Sequence, residues 1–141
     1  MKTALVIIDM QTEFVDYACD KKVSGVYLRK IESICRAIRT AKKNKWTIVV
    51  VEYRGYGYTI NPIVAELGKY KKVKVVSKRK DDGSAKLAPV LKSLKIHRVV
   101  YTGCNSDACV LDTVDGMIRW KMKHAKHQVY IPGTMTFNKT T

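Results

Sequence analysis

Asp9 closes the apolar run Leu5-Val6-Ile7-Ile8 and leads into Met10-Gln11-Thr12-Glu13-Phe14. A carboxylate at the dry end of a strand must be paired, cap the next turn or do chemistry. Cys109 lies in Gly103-Cys104-Asn105-Ser106-Asp107-Ala108-Cys109-Val110. There Ser106 or Asp107 can cap a helix, and a thiol in a first helical turn sees the positive helix end and orphan N–H groups, which favour thiolate. Taken singly, each residue has a plain structural reading, a capping Asp and a buried inert Cys. A nucleophilic thiol needs a base, and His is the usual one. His97 begins a strand pattern while His124 and His127 follow the last helical pattern, so all three face the opposite edge. Asp9 is left to take the thiol proton, and the stretch from Ser77 to Ser84 supplies lysine. Carboxylate, thiol and ammonium together suit acyl transfer through a thioester.

The elements that must position these groups alternate between short apolar runs and amphipathic stretches, the pattern of a parallel sheet buried on both faces. Strands are predicted at about 2–9, 46–53, 73–78, 97–103 and 128–132. Leu28, Ile31, Ile34, Cys35 and Ile38 fall at helical spacing, as do Leu87, Val90, Leu91 and Leu94, and then Val110, Val114, Met117 and Ile118. These stripes are assigned to the core. A short helix is expected around 62–67. Right-handed crossovers then give a three-layer, Rossmann-like α/β/α fold, an open sheet of five or six strands in the order 3-2-1-4-5. Ligands in such sheets bind beyond the carboxyl ends of the strands where the chain reverses direction, and Asp9, Tyr53-Arg54, Lys78 and the turn from Gly103 to Cys109 all lie there.

The 141 residues, 46% of them hydrophobic, fit one domain over 1–141 with a real core. No run approaches the roughly 20 apolar residues of a spanning helix, and the first apolar run is too short for a signal-peptide core, which points to a cytoplasmic protein. Four cysteines without a Cys-x-x-Cys pair suggest reduced thiols. The net charge of +15 draws polyanions. Seven basic residues crowd into 69–80 (Lys69, Lys71, Lys72, Lys74, Lys78, Arg79 and Lys80). With no reader motif, that surface implies solvation, or weak and sequence-blind nucleic-acid binding.

Three segments in order carry a resemblance: Ala4 to Phe14, the lysine after the third strand, and Thr102 to Val110. From residue 3 to about 132 the chain resembles the isochorismatase-like cysteine hydrolases. The resemblance implies Asp9 as general base, Cys109 as nucleophile and Lys78 as the third catalytic residue, with Lys80 as the alternative lysine. It also implies a cis peptide at Cys104-Asn105 that aims the Asn105 N–H, with that of Cys109, at the oxyanion. Phe14, Arg54, Tyr56 and Tyr58 are the candidate substrate contacts, although the tyrosines and Arg54 also fit simple loop packing.

Two departures from the family pattern matter. Residues 54–72 hold no His, Cys or Asp and only Glu66, so the metal cluster of the family's nicotinamidases is missing and no cofactor is expected. The chain also ends soon after the fifth strand, leaving an edge for the tail or another subunit to cover, and a homo-oligomer is expected. The leading expectation is a metal-independent hydrolase of a small amide or related acyl substrate. Its competitors are a non-catalytic scaffold binding nucleic acid or an acidic partner, and a thiol-reactive sensor built on Cys109. Of the four thiols, Cys109 is expected to be the most reactive.

Overall fold

The fold is described from a computed structural model for residues 2–19, 25–104, 109–130 and 136–137. β1 (Thr3–Ile8), a run of apolar and β-branched residues, is buried throughout and forms the centre of the sheet. It pairs in parallel with β2 (Thr47–Tyr53) on one side and β4 (Arg98–Gly103) on the other. β3 (Val73–Lys78) lies outside β2, and β5 (Lys126–Tyr130) outside β4. The short β6 (Thr136–Phe137) runs antiparallel to β5, so the order is β3-β2-β1-β4-β5-β6. The predicted five-strand order therefore holds, and the tail itself supplies a sixth strand.

Alternation along the central strands sends side chains to two cores. Val6, Ile8, Val49, Val51 and Tyr101 pack under α4 (Ser84–Ser93) and α5 (Leu111–Gly116), whose axis continues as a π-helical turn over Met117–Lys121. Leu5, Ile7, Ile48 and Val50 pack under α2 (Gly25–Lys43) and α3 (Asn61–Leu67). Pro62 suits the first turn of α3, where its missing N–H costs nothing. α1 (Thr12–Cys19) is a separate helix that follows Asp9 at once.

Three expectations need correction. Leu28 is 55% exposed, because the inward face of α2 is supplied by Ile34, Cys35 and Ile38 further along. β3 is an edge strand with Val75 65% exposed, so burial on both faces holds for the central strands only. β5 begins at Lys126, two residues early, because its polar start is satisfied: His127 accepts from the Tyr101 hydroxyl at 2.7 Å and meets the Met122 carbonyl at 2.9 Å. Ser106 and Asp107, the candidate caps of α5, lie outside the described residues. Among the described residues, no helix is long and apolar enough to cross a membrane.

Candidate active site

The backbone at the carboxyl end of β1 is unusual on both sides of the crevice. Asp9 has φ +56°, a left-handed conformation that Asp tolerates better than most residues, and its N–H donates to the Val51 carbonyl at 3.0 Å. Opposite it, Gly103 has φ +141°, and a Cβ there would stand 1.9 Å from the Ile8 carbonyl oxygen. Only glycine lets β4 lie this close to β1. The next N–H, of Cys104, donates to that same Ile8 carbonyl at 3.0 Å.

Asp9, Lys78 and Cys109 come together above this crossing. The Lys78 Nζ lies 3.1 Å from Asp9 Oδ2, and both side chains are sealed from water. Lys80 is exposed. Asp9 and Lys78 form an ion pair by distance, but neither Asp9 oxygen has an aligned hydrogen-bond donor among the described residues. The carboxylate thus keeps lone pairs for an incoming proton. Burial raises the Asp9 pKa, and the adjoining Cys109 thiol and Lys78 ammonium oppose the rise.

Cys109 is buried, and its thiol donates to Asp81 Oδ1 at 3.7 Å. Its pKa is pushed up to about 12, first by burial and then by Asp9, with Asp81 adding to the rise and Lys78 opposing it. The resting thiol is thus protonated, in keeping with a site in which Asp9 takes its proton. The field of a short helix end, about 1 kcal/mol, loses to desolvation beside two carboxylates.

Asp81 escaped the sequence reading because it sits in the hydrophilic run from Lys78 to Asp82, where its type does not set it apart. Its carbonyl accepts from Lys78 Nζ at 2.8 Å and from the Thr113 hydroxyl at 3.3 Å. Thr113 in turn accepts from the Gly83 N–H at 2.9 Å, tying α5 to the loop that carries Lys78 and Asp81. Tyr53, at the carboxyl end of β2 as expected, also meets the lysine. Lys78 Nζ lies 4.9 Å from its ring centroid, and burial together with Asp81 raises its phenol pKa.

The aromatic residues separate into near and far. Phe14 stacks on Tyr56 at 4.6 Å, and Tyr53 meets Tyr56 edge-on at 4.9 Å. Gln11 fixes that loop. Fully buried, it donates to the Tyr53 and Gly57 carbonyls at 2.8 and 2.9 Å and accepts from the Tyr53 N–H at 2.6 Å. Tyr58 is 83% exposed and Arg54 is exposed as well, so neither is held against the triad as expected, because the loop's anchored atoms are backbone and its outer side chains turn to water. Asn105 and its peptide bond to Cys104 lie outside the described residues. Cys35 and Cys109 are free thiols. Among the described residues, no group of three or more His, Cys, Asp or Glu side chains is placed to hold a metal ion.

A doubly covered, open parallel sheet with a polar cluster beyond its central strands defines a three-layer α/β protein with a crevice site. The Isochorismatase domain profile matches residues 3–119, and the chain belongs to that family. Among solved structures it is similar to an isochorismatase from Pseudomonas putida, with 20% identity, a TM-score of 0.74, and coverage of 99% of this chain and 73% of that one. It is also similar to a nicotinamidase from Staphylococcus aureus (19% identity, TM-score 0.72, coverage 98% and 88%). An N-carbamoylsarcosine amidase from Thermoplasma acidophilum matches at 19% identity and TM-score 0.72, with coverage of 92% and 81%. The family thus includes amide-cleaving hydrolases. A search of curated proteins finds no significant match.

Proposed function

We propose that this chain is a cysteine hydrolase of a small amide or related acyl compound, working through a Cys109 thioester. The observation that carries the reading is the meeting of Asp9, Lys78 and Cys109 at the strand ends. Burial and the neighbouring Asp9 keep the Cys109 thiol protonated at neutral pH. The proton therefore leaves as sulfur attacks. Asp9 takes it, and Lys78 holds the carboxylate in its charged form until then. The carbonyl becomes a tetrahedral oxyanion, for which the N–H groups of Asn105 and Cys109 are the candidate donors. Collapse breaks the C–N bond, and the amine leaves with the proton from Asp9. Asp9 then accepts a proton from water, which attacks the thioester and frees the acid and the thiol.

The Phe14, Tyr53 and Tyr56 rings beside Lys78 favour a small, flat acyl group. Metal independence is part of the proposal, supported by the lack of His, Cys and Asp in 54–72. The test is a single-turnover assay over an amide panel with mass spectrometry of the intact protein. A mass increase equal to the acyl group on Cys109, absent in Cys109→Ala, is expected. Turnover by Cys109→Ala at the wild-type rate would overturn the reading. The net charge of +15 supports a second, weaker activity, sequence-blind nucleic-acid binding that fades steeply with salt. A gel-shift series across salt concentrations checks it, and sequence-dependent binding at high salt would contradict it.

A further inference from the structure

At the amino end of the sheet, opposite the triad, a cavity of about 450 Å³ opens among the starts of β1, β2 and β3. Lys2, Lys45, Lys71, Lys72 and Lys74 line it, with Trp46 and, among the described residues, no Asp or Glu. None of the five lysines belongs to an ion pair among the described residues. The walls are fixed by main-chain links. Lys72 Nζ donates to the Lys45 carbonyl at 3.1 Å, the Ile48 N–H to the Lys72 carbonyl at 2.8 Å, and the Tyr70 hydroxyl to the Trp46 carbonyl at 2.6 Å.

Cations at this end complement the negative ends of α2 and α4, but magnitudes show that this is not enough. Each helix end supplies about −0.5 of a charge, so the two together offset about one lysine. About four positive charges remain, gathered in a small-molecule-sized space with no carboxylate among the described residues to balance them. A single phosphate carries about −1.5 to −2 at pH 7 and would leave half of that surplus unmatched. A chain of three phosphates, at about −4, would match it.

We infer that this cavity binds a short oligophosphate, the triphosphate chain of a nucleotide or of a 5′-triphosphorylated RNA end. The site is separate from the triad and stands whether or not the proposed hydrolysis does. Lysine supplies rotatable point charges suited to phosphate oxygens, and the Trp46 side chain at the rim reports occupancy.

The experiment is fluorescence titration of the Trp120→Phe protein, in which Trp46 is the remaining tryptophan, with tripolyphosphate, ATP, orthophosphate and two single-stranded RNA oligomers, one 5′-triphosphorylated and one 5′-hydroxyl. Saturable one-to-one binding of tripolyphosphate is expected, at least about tenfold tighter than orthophosphate. ATP binding with tripolyphosphate affinity would assign a free nucleotide, and tighter binding of the triphosphorylated oligomer an RNA end. Lys72→Gln with Lys74→Gln should weaken tripolyphosphate binding at least about tenfold, and Lys121→Gln with Lys123→Gln, which do not line the cavity, by less than about twofold. Absence of saturable binding, equal binding of the 5′-hydroxyl oligomer and tripolyphosphate, or equal losses in both lysine pairs would overturn the inference.

Discussion

Lys78 reaches past the intervening strand β2 to place its ammonium 3.1 Å from the Asp9 carboxylate, although the two strands that carry them are not neighbours. Strands stand about 4.8 Å apart, so a side chain must span close to 10 Å, which the long lysine stem can do when it leans inward. Its head is steadied by the Asp81 carbonyl and the Tyr53 ring. The ammonium opposes the rise that burial imposes on the Asp9 pKa.

Lys78→Met should therefore raise the Asp9 pKa further and move the acidic limb of kcat/KM to higher pH. The carboxylate is the active form, so activity is lost first at the acid side, with a fall of about 10² to 10⁴ at neutral pH. A pH–rate profile of the variant checks this. An acidic limb that stays in place would remove Lys78 from the role.

Alkylation of Cys109 should be slow at pH 7 and rise about tenfold per pH unit, since its thiol is pushed up to about 12. Asp81→Asn removes one of the charges that raise the thiol pKa, and should speed labelling severalfold. Peptide mapping after timed iodoacetamide exposure gives both rates, and equal rates in wild type and variant would contradict the assignment.

Gly103→Ala should destabilise the protein by about 3 to 5 kcal/mol. The Cβ meets backbone, the Ile8 carbonyl at 1.9 Å, so relief requires β1 and β4 to part where the site is built. Urea denaturation of the variant would show it, and an unchanged midpoint would mean that the strands tolerate the spread.

Acid should weaken the fold through His127. Burial lowers its pKa below the ordinary 6.5, so the unfolded chain takes up the proton first as pH falls. Stability is complete above about 6.5 and declines from there through the lowered native value. His127→Gln should flatten that part of the stability–pH curve in thermal melts, and identical curves would exclude this histidine as the cause.

Much of this arrangement was readable from the chain because strand ends are easy to find. Apolar runs locate β1, β3 and β4, and the rule that ligands gather beyond their carboxyl ends picks out Asp9, Lys78 and Cys109. Contacts made by chain return were not readable. Gln11 clamps a loop more than forty residues away, and its amide carries no mark of that role in the sequence. Asp81 depends on how far its loop leans inward, whereas Tyr53 was legible as a strand-end residue. The thiol pKa depends on a contest between helix field, burial and two carboxylates, and only coordinates supply the distances that decide it. Leu28 fits the helical period yet faces water, since periodicity gives a face but not where a helix leaves its sheet.

The central place of β1 has a consequence for synthesis on the ribosome. Thr3 pairs with Arg98, and Ile8 with Gly103, so β1 must wait 95 residues for its second neighbour. At about 5 to 20 residues per second that interval lasts about 5 to 19 s, during which one edge of the most apolar strand stands open beside a growing chain. β1 is thus flanked on one side alone, by β2, until β4 has been made.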